Sequence, residues 1–368
     1  MNRIQFSSMF SWRTTWALCI VNLAVSLSVQ AQSAHEIPLG TWRDHLPMTN
    51  GLSVAQSEQY VYCATPNGLI VYNQDDQSLE KLGRFNGLSD IGISCIEYHQ
   101  PTQTLIIAYK NGNIDFLQGN RITNFSDIKR ASSIQGSKSI HKLRVDGNLA
   151  YFCCNFGIVV VDLLKREVRS TILPSLTKPE TFDLAISEDS LYAATAGGVY
   201  TAYKKDPSLP YYVAWKNQTL LGNNKFSHIA FFDGCLYAAE VNSTNGEEGL
   251  KKLENGTVSS LSVGYEITDT KVWGDRLIVT SNEGMRSFKK QSQGGGEEGV
   301  YSYGPGRLQI RVQSAIRDQK NPDIYWMADQ NYGLMRTYLL YDFKEIIPAG
   351  PYSSGVFAMD TNGQSIWV

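Results

Sequence analysis

The chain of 368 residues carries 33 basic and 35 acidic side chains, a formal net charge of −2, with 42% hydrophobic and only 18% charged residues. Near-neutrality removes the electrostatic basis for gripping a nucleic-acid backbone. The apolar content, with 20 Tyr, 14 Phe and 31 Gly, excludes both a disordered chain and a long charged helical rod, leaving two ordinary domains or one large domain of repeats.

Arg3 and Arg13 open the chain, followed by an apolar stretch from Trp16 to Val29 and the small residues of Val29-Gln30-Ala31. The stretch is about two thirds of a membrane span, so residues 1–31 read as a signal peptide cleaved after Ala31. Cys19 lies mid-stretch, where a lipoprotein cysteine does not belong. The segment contains no acid, so the exported chain is more acidic than its precursor. Five cysteines remain: Cys63, Cys95, Cys153, Cys154 and Cys235. An odd number, each inside an apolar strand-like run and without Cys-x-x-Cys spacing, points to buried small hydrophobes instead of a disulfide framework or a metal site.

Residues 40–46 precede a pattern that then recurs: strand, polar turn, strand with small residues, Gly, strand. Tyr60-Val61-Tyr62-Cys63-Ala64 leads to Gly68, and the later units carry Gly112, Gly157, Gly198, Gly249, Gly284 and Gly333. These glycines stand 35 to 51 residues apart, the period of a four-stranded propeller blade. Asp146-Gly147, Asp233-Gly234 and Gly274-Asp275 suit two-residue hairpin turns. Seven such units predict an all-β, seven-bladed propeller of antiparallel blades over residues 32–355, its ring closed by an N-terminal strand from residues 40–46. Residues 356–368, ending Ile366-Trp367-Val368, read as the start of a further blade, which predicts a longer natural chain.

Catalytic patterns are weak. Gly294-Gly295-Gly296-Glu297-Glu298-Gly299 has the letters of a dinucleotide loop, but its acids would repel a pyrophosphate, so it is expected to be a flexible loop. Two Ser-x-x-Lys stretches, at Ser126 and Ser287, lack a Lys-Thr-Gly companion. Paired acids such as Glu247-Glu248 and Glu297-Glu298 read as solvated, and five scattered histidines (35, 45, 99, 141, 228) fix no triad. No catalytic residue, cofactor or metal is therefore assigned. The one candidate binding site is a basic cluster, Lys129, Arg130 and Lys138, placed where inter-blade connections form a propeller face and able to meet phosphate or carboxylate groups of a glycan.

Ile37-Pro38-Leu39-Gly40-Thr41-Trp42-Arg43-Asp44-His45, Asn86-Gly87-Leu88-Ser89-Asp90-Ile91 and Ala108-Tyr109-Lys110-Asn111-Gly112-Asn113-Ile114-Asp115 resemble the N-terminal propeller of the PorZ family, components of the type IX secretion system of Gram-negative bacteria. Gly136-Ser137-Lys138-Ser139-Ile140 and Phe156-Gly157-Ile158-Val159-Val160-Val161-Asp162 extend the resemblance, which is strongest over residues 37–165. It implies a non-enzymatic scaffold of the attachment complex at the outer-membrane surface or in the periplasm, peripheral to the membrane. It further implies partnership with the sortase-like PorU and with PorV and PorQ, and contact with anionic lipopolysaccharide. Gly87-Leu88-Ser89-Asp90 and Asp360-x-x-Gly363-x-x-Trp367 also resemble a periplasmic ligand-sensing propeller of hybrid two-component regulators. A propeller hydrolase, with acids converging on the channel, is the third class left open.

Overall fold

Strand-forming runs alternate with turn residues at short intervals, and each run pairs with the next in sequence. The computed structural model describes residues 46–241, 248–263, 266–301, 303–304 and 309–350, and the backbone of 360–361 and 366–367. The chain divides into Met1–Arg43, which lies outside the described residues, and Asp44–Val368, which holds all of them. The expected signal peptide and most of residues 40–46 thus fall outside. Among the described residues no helix is long and apolar enough to cross a membrane.

Seven four-stranded antiparallel sheets follow one another. Blade 1 is β1 (Ser53–Gln56), β2 (Tyr60–Thr65), β3 (Gly68–Asn73) and β4 (Leu79–Leu82); blade 2 is β5 (Ile93–His99), β6 (Thr104–Tyr109), β7 (Ile114–Gln118) and β8 (Arg121–Phe125). A one-turn helix, α1 (Asp127–Arg130), leads into blade 3. That blade is β9 (Ile140–Asp146), β10 (Leu149–Cys154), β11 (Gly157–Asp162) and β12 (Glu167–Ile172), and blade 4 is β13 (Thr181–Ile186), β14 (Ser190–Thr195), β15 (Gly198–Tyr203) and β16 (Lys216–Asn217). Blade 5 is β17 (Phe226–Phe232), β18 (Cys235–Val241), β19 (Glu248–Glu254) and β20 (Thr257–Leu261). Blade 6 is β21 (Ile267–Trp273), β22 (Arg276–Ser281), β23 (Gly284–Lys289) and β24 (Glu297–Val300). Blade 7 is β25 (Val312–Arg317), β26 (Ile324–Asp329), β27 (Gly333–Tyr338) and β28 (Asp342–Ile346). The first strands of successive blades touch in a closed circle, β25 returning to β1, so they surround the axis. A short hairpin, β29 (Asp360–Thr361) with β30 (Ile366–Trp367), follows blade 7.

The core is divided among the blade interfaces. In β10, Ala150, Phe152 and Cys154 pack toward blade 2, while Tyr151 and Cys153 pack toward blade 4. β6 does the same, with Ile106 and Ala108 on one side and Leu105, Ile107 and Tyr109 on the other. A strand buried on both faces needs an apolar residue at every position, which is why the second strands read as unbroken hydrophobic runs. Cys63, Cys95, Cys153, Cys154 and Cys235 sit in these wedges as free, buried thiols, as their surroundings in the sequence predicted.

Blade 1 closes on blade 7 through Val54, Val61, Ile70 and Tyr72 against Ile316, Trp326 and Leu334. Gln56 donates to the Asp318 carboxylate at 2.7 Å, and the Trp326 indole donates to the same carboxylate at 2.7 Å. Residues 46–52 join this seam: Met48 is buried, and Gly51 N–H donates to the Asp329 carbonyl at 2.8 Å. Blade 7 draws all four strands from its own segment, so among the described residues the N-terminal contribution is this docked stretch.

Several local readings change. The first turn of blade 3 is Gly147-Asn148, with Asp146 pairing Leu149 as the last rung; Asp233-Gly234 and Gly274-Asp275 are the turns expected. Gly249 lies inside β19 and marks no reversal, since six residues outside the described set separate β18 from β19. Glu297 and Glu298 belong to β24, the fourth strand that blade 6 requires, where Glu297 pairs with Arg286 at 2.8 Å and Glu298 pairs with Arg276. They are paired acids on a strand, Glu297 still exposed to solvent and Glu298 partly so.

Gly157 opens β11 at φ +130, and a β-carbon there would sit 2.4 Å from the Ile172 carbonyl oxygen of the adjoining strand. Gly157→Ala is therefore expected to destabilise the ring by about 3 kcal/mol. Gly147→Ala, at φ +55 in open space, should cost about 1 kcal/mol. Thermal melts of the two variants side by side measure the difference.

Candidate functional site

The first strands carry their charged side chains to the axis, where charges from opposite blades meet. Lys142 of β9 reaches Asp269 of β21 at 2.6 Å, across the ring from blade 3 to blade 6. Arg144, two residues along β9, grips Asp183 of β13 with both arms of its guanidinium at 2.9 and 2.8 Å and donates to the Thr270 carbonyl at 2.8 Å. Lys271 reaches Glu97 of β5 at 2.9 Å. Ser314 of β25 donates to Asp269 at 2.9 Å, and the backbone N–H groups of Leu184 and Ile229 donate to Asp183. Three cations and three carboxylates thus compensate one another, Asp183 and Asp269 buried and the rest nearly so.

Electrostatics follow from that arrangement. Burial pushes the Asp269 carboxyl up, but Lys142 and Arg144 outweigh it and hold the group well below the usual carboxylate range. Burial disfavours the Arg144 cation, yet Asp183 and Asp269 raise its pKa above that of free arginine. His228, on β17 with its Nδ1 4.0 Å from Asp183, is pushed down to about 4, first by burial and then by Lys142. At neutral pH His228 is uncharged and Asp269 is charged, whereas proton transfer in catalysis works best from groups titrating near the operating pH. A cavity of about 390 Å³ opens at one mouth, lined among others by Glu97, Arg144, Lys271 and Phe231. Acids do converge on the channel, as a hydrolase requires, but they arrive paired with cations.

Lys129, Arg130 and Lys138 come together at α1 and the connection behind it, and the fold gives two of them work. Lys129 pairs with Asp90 at 2.5 Å. Lys138 donates to the carbonyls of Lys129 and Ala131 at 2.9 and 2.7 Å, closing the end of the short helix. Arg130 alone is exposed without an ion pair among the described residues. The cluster exists, and its free charge is smaller than the sequence suggested.

Two of the stretches that carry the family resemblance, 86–91 and 108–115, prove to be structural, while 37–45 lies outside the described residues. Asp115 is fully buried, accepting from the Tyr109 hydroxyl at 2.7 Å, Ser89 N–H at 2.8 Å and Asn124 at 2.9 Å. Asp90 accepts from Asn111 at 2.6 Å and from Lys129. Asn-Gly-Leu-Ser-Asp and Tyr-Lys-Asn-Gly-Asn-Ile-Asp therefore lock the connection between blades 1 and 2 onto β7. Of the histidines, His99 is tied to Thr102 at 2.7 Å and to the Gly147 carbonyl at 2.9 Å, while His141 packs on Phe182 and lies 3.5 Å from Glu180. His35 and His45 lie outside the described residues. Ser287 is buried against the Tyr325 hydroxyl at 2.9 Å, which places it in the wedge between blades 6 and 7. Among the described residues His, Cys, Asp and Glu nowhere gather in threes fit for a metal ion.

The channel network was not legible in the sequence. Its hidden signal is a charged residue inside the first strand of several units, at Glu97, Lys142, Arg144, Asp183, Asp269 and Lys271, where alternation alone predicts an apolar or small residue.

Fold and channel define a closed seven-bladed propeller with a charge-compensated axis. Residues 61–216 match the family model of the PorZ N-terminal beta-propeller domain of the type IX secretion system, so the resemblance read from the sequence holds. A solved structure of PorZ, an essential surface component of that system in Porphyromonas gingivalis, superposes at a TM-score of 0.67 with 18% identity, over 88% of this chain. The chain spans 42% of the length of that PorZ structure. A chain of the mitotic checkpoint complex (TM-score 0.58, 14% identity, 83% of this chain and 92% of the other) is similar in fold. So is the extracellular domain of a putative one-component system of B. thetaiotaomicron (TM-score 0.57, 13% identity, 80% and 39%). No curated protein sequence matches.

Removing one partner of the buried network strands the other. Asp269→Leu is expected to cost about 3–5 kcal/mol, and Lys142→Met added to it to recover part of that loss, as read in a double-mutant cycle of chemical denaturation with Lys142→Met as the other single variant. His228 sets a pH dependence. Its folded pKa lies below the unfolded value of about 6.5, so between those values the unfolded chain binds the extra proton. Stability should fall as pH drops from about 6.5 toward 4, with His99 and His141, also lowered by burial, adding to the slope. His228→Gln should flatten the curve of melting temperature against pH in that window.

Proposed function

We propose that the chain is a non-enzymatic binding scaffold of the type IX secretion system, exported to the outer-membrane surface or periplasm and peripheral to the membrane. In this reading it supports the sortase-like PorU, together with PorV and PorQ, while cargo signals are removed and cargo is joined to anionic lipopolysaccharide. One observation carries the reading: the match of residues 61–216 to the PorZ propeller family. The paired channel supports it, because a rigid ring whose axial charges neutralise each other offers faces and rims for docking. The alternative is the ligand-sensing propeller of a hybrid two-component regulator. The likeness to the B. thetaiotaomicron extracellular domain is one of fold alone and does not favour it over the first.

Affinity purification of the tagged protein from its native host, after mild cross-linking, is the test. Enrichment of the sortase-like peptidase and its outer-membrane partners is expected. Recovery with a transmembrane histidine kinase, and without those partners, would overturn the scaffold reading.

For the glycan-facing cluster, Arg130→Glu is the informative substitution, because Lys129 and Lys138 also hold α1 in place. If Arg130 with its two neighbours contacts anionic lipopolysaccharide, retention on immobilised lipopolysaccharide should drop about fivefold in Arg130→Glu, at unchanged melting temperature. Equal retention removes the cluster from the reading and leaves the scaffold role standing.

A further inference from the structure

The cavity at the axial mouth owes its shape to a change of residue type at one register position. It is lined by the first strands of five successive blades, 2 to 6. Glu97, Arg144, Ala185, Ala230 and Lys271 are equivalent in those strands, each pairing with the third residue of its blade's second strand. Blades 2, 3 and 6 place a charge there, whereas blades 4 and 5 place only a methyl group. The two short side chains leave room on their side of the axis, and both line the cavity of about 390 Å³. That volume lies near the lower end of the range for small-molecule sites, about 300 Å³ and upward, and suits a ligand of amino-acid size.

One part of the lining is apolar and another is charged. Leu184, Ile186, Ile229 and Phe231 join the alanines in a wall without a polar side chain. The charged part holds Lys271 and Glu97, 2.9 Å apart, and Arg144, whose Nη2 donates to the Thr270 carbonyl beside Lys271. These groups keep unused bonding capacity. Nη1 of Arg144 donates to nothing among the described residues, while Nε and Nη2 are engaged by Asp183 and Thr270. Lys271 gives Glu97 Oε2 one of the three N–H groups of an ammonium, and Glu97 Oε1 accepts no hydrogen bond among the described residues.

Charge balance selects the ligand. Lys142, Arg144 and Lys271 equal Glu97, Asp183 and Asp269 in number, so a lone anion or cation would bring an uncompensated charge into a nearly buried site. A zwitterion adds no net charge. In an α-amino acid the carboxylate and the ammonium sit on one carbon, a spacing that matches the adjoining Lys271 and Glu97 taken in opposite order. The carboxylate then meets Arg144 Nη1 and Lys271, the ammonium meets Glu97 Oε1, and the side chain lies on the apolar wall. A sugar is a poorer match. Its hydroxyls on that side would face apolar side chains and lose their hydrogen bonds, and one face of the Phe231 ring is already stacked on Tyr192 at 5.5 Å.

We infer that the axial mouth is a binding site for a free α-amino acid with an apolar side chain, its two charged groups held by Arg144, Lys271 and Glu97. The inference goes beyond the scaffold reading. Its test needs neither the attachment proteins nor lipopolysaccharide, so either can fail without the other.

Isothermal titration calorimetry of the full chain with L-leucine and L-phenylalanine is the experiment. Saturable binding is expected, with a rise in melting temperature once the ligand is well above its dissociation constant. N-acetyl-leucine lacks the ammonium and leucinamide lacks the carboxylate, so each should bind at least about tenfold more weakly than leucine. Glu97→Gln/Lys271→Gln removes one charge of each sign and should lower leucine affinity at least about tenfold. Ala185→Leu, which occupies the apolar side, should do the same by exclusion. Both variants touch the interior of the ring, so their melting temperatures are read alongside, and the ligand series on the native chain decides if either fails to fold. Absence of binding by both amino acids at about 10 mM would overturn the inference. So would acetyl-leucine or leucinamide binding as leucine does, or folded variants that bind as the parent does. Binding of glucose in place of leucine would overturn it too, and would mark the cavity as a saccharide site.

Discussion

A blade in a closed ring has no free face. Each sheet meets a neighbour on both sides, so its inner strands must be apolar on both alternating sets of positions, and this requirement governs the rest of the molecule. Cysteines sit in the wedges because a small polarizable side chain fits between two sheets. The thiols of Cys63 and Cys154 are pushed above their ordinary range by that burial. Polar residues are thereby driven to the places the wedges leave open: the axis, the two faces formed by turns, and the outer strands.

At the axis the same constraint appears in charged form. Seven first strands bring their side chains into one narrow space, and a charge there survives only with a partner. The partners come from distant blades: Lys142 and Asp269 are 127 residues apart, and Lys271 and Glu97 are 174 apart. Chain order fixes which blades face each other in the ring, and these pairs compensate the charges that meet across it. A cavity of about 390 Å³ opens on that axis, and away from it the faces and edges offer further surfaces, among them α1 with its free Arg130 and the irregular edge of blade 4.

That edge breaks the repeat without weakening the ring. The fourth strand of a blade is the least buried, so blade 4 can reduce β16 to two residues and let Trp215 of the excursion cover the wedge in its place. Irregularity at the outer strand is the cheapest a propeller can carry, and loops held by a rigid scaffold are where binding surfaces commonly form.

The repeat itself, the number of blades, the hairpins at Asp233-Gly234 and Gly274-Asp275 and the burial of the cysteines were all written in the sequence, because short-range pairing and strand periodicity depend only on neighbours along the chain. The fate of its charges was not. Glu297 and Glu298 look like loop acids until blade 6 needs a fourth strand, and Asp115 looks like a surface residue until Tyr109 and Asn124 close over it. Lys129 and Lys138 look like a free basic patch until Asp90 and the end of α1 engage them. Whether a charge is free, paired or buried is decided by partners that strand pairing or ring closure brings up: Arg286 meets Glu297 and Asn124 meets Asp115 within one blade, whereas Lys142 meets Asp269 only when the ring closes.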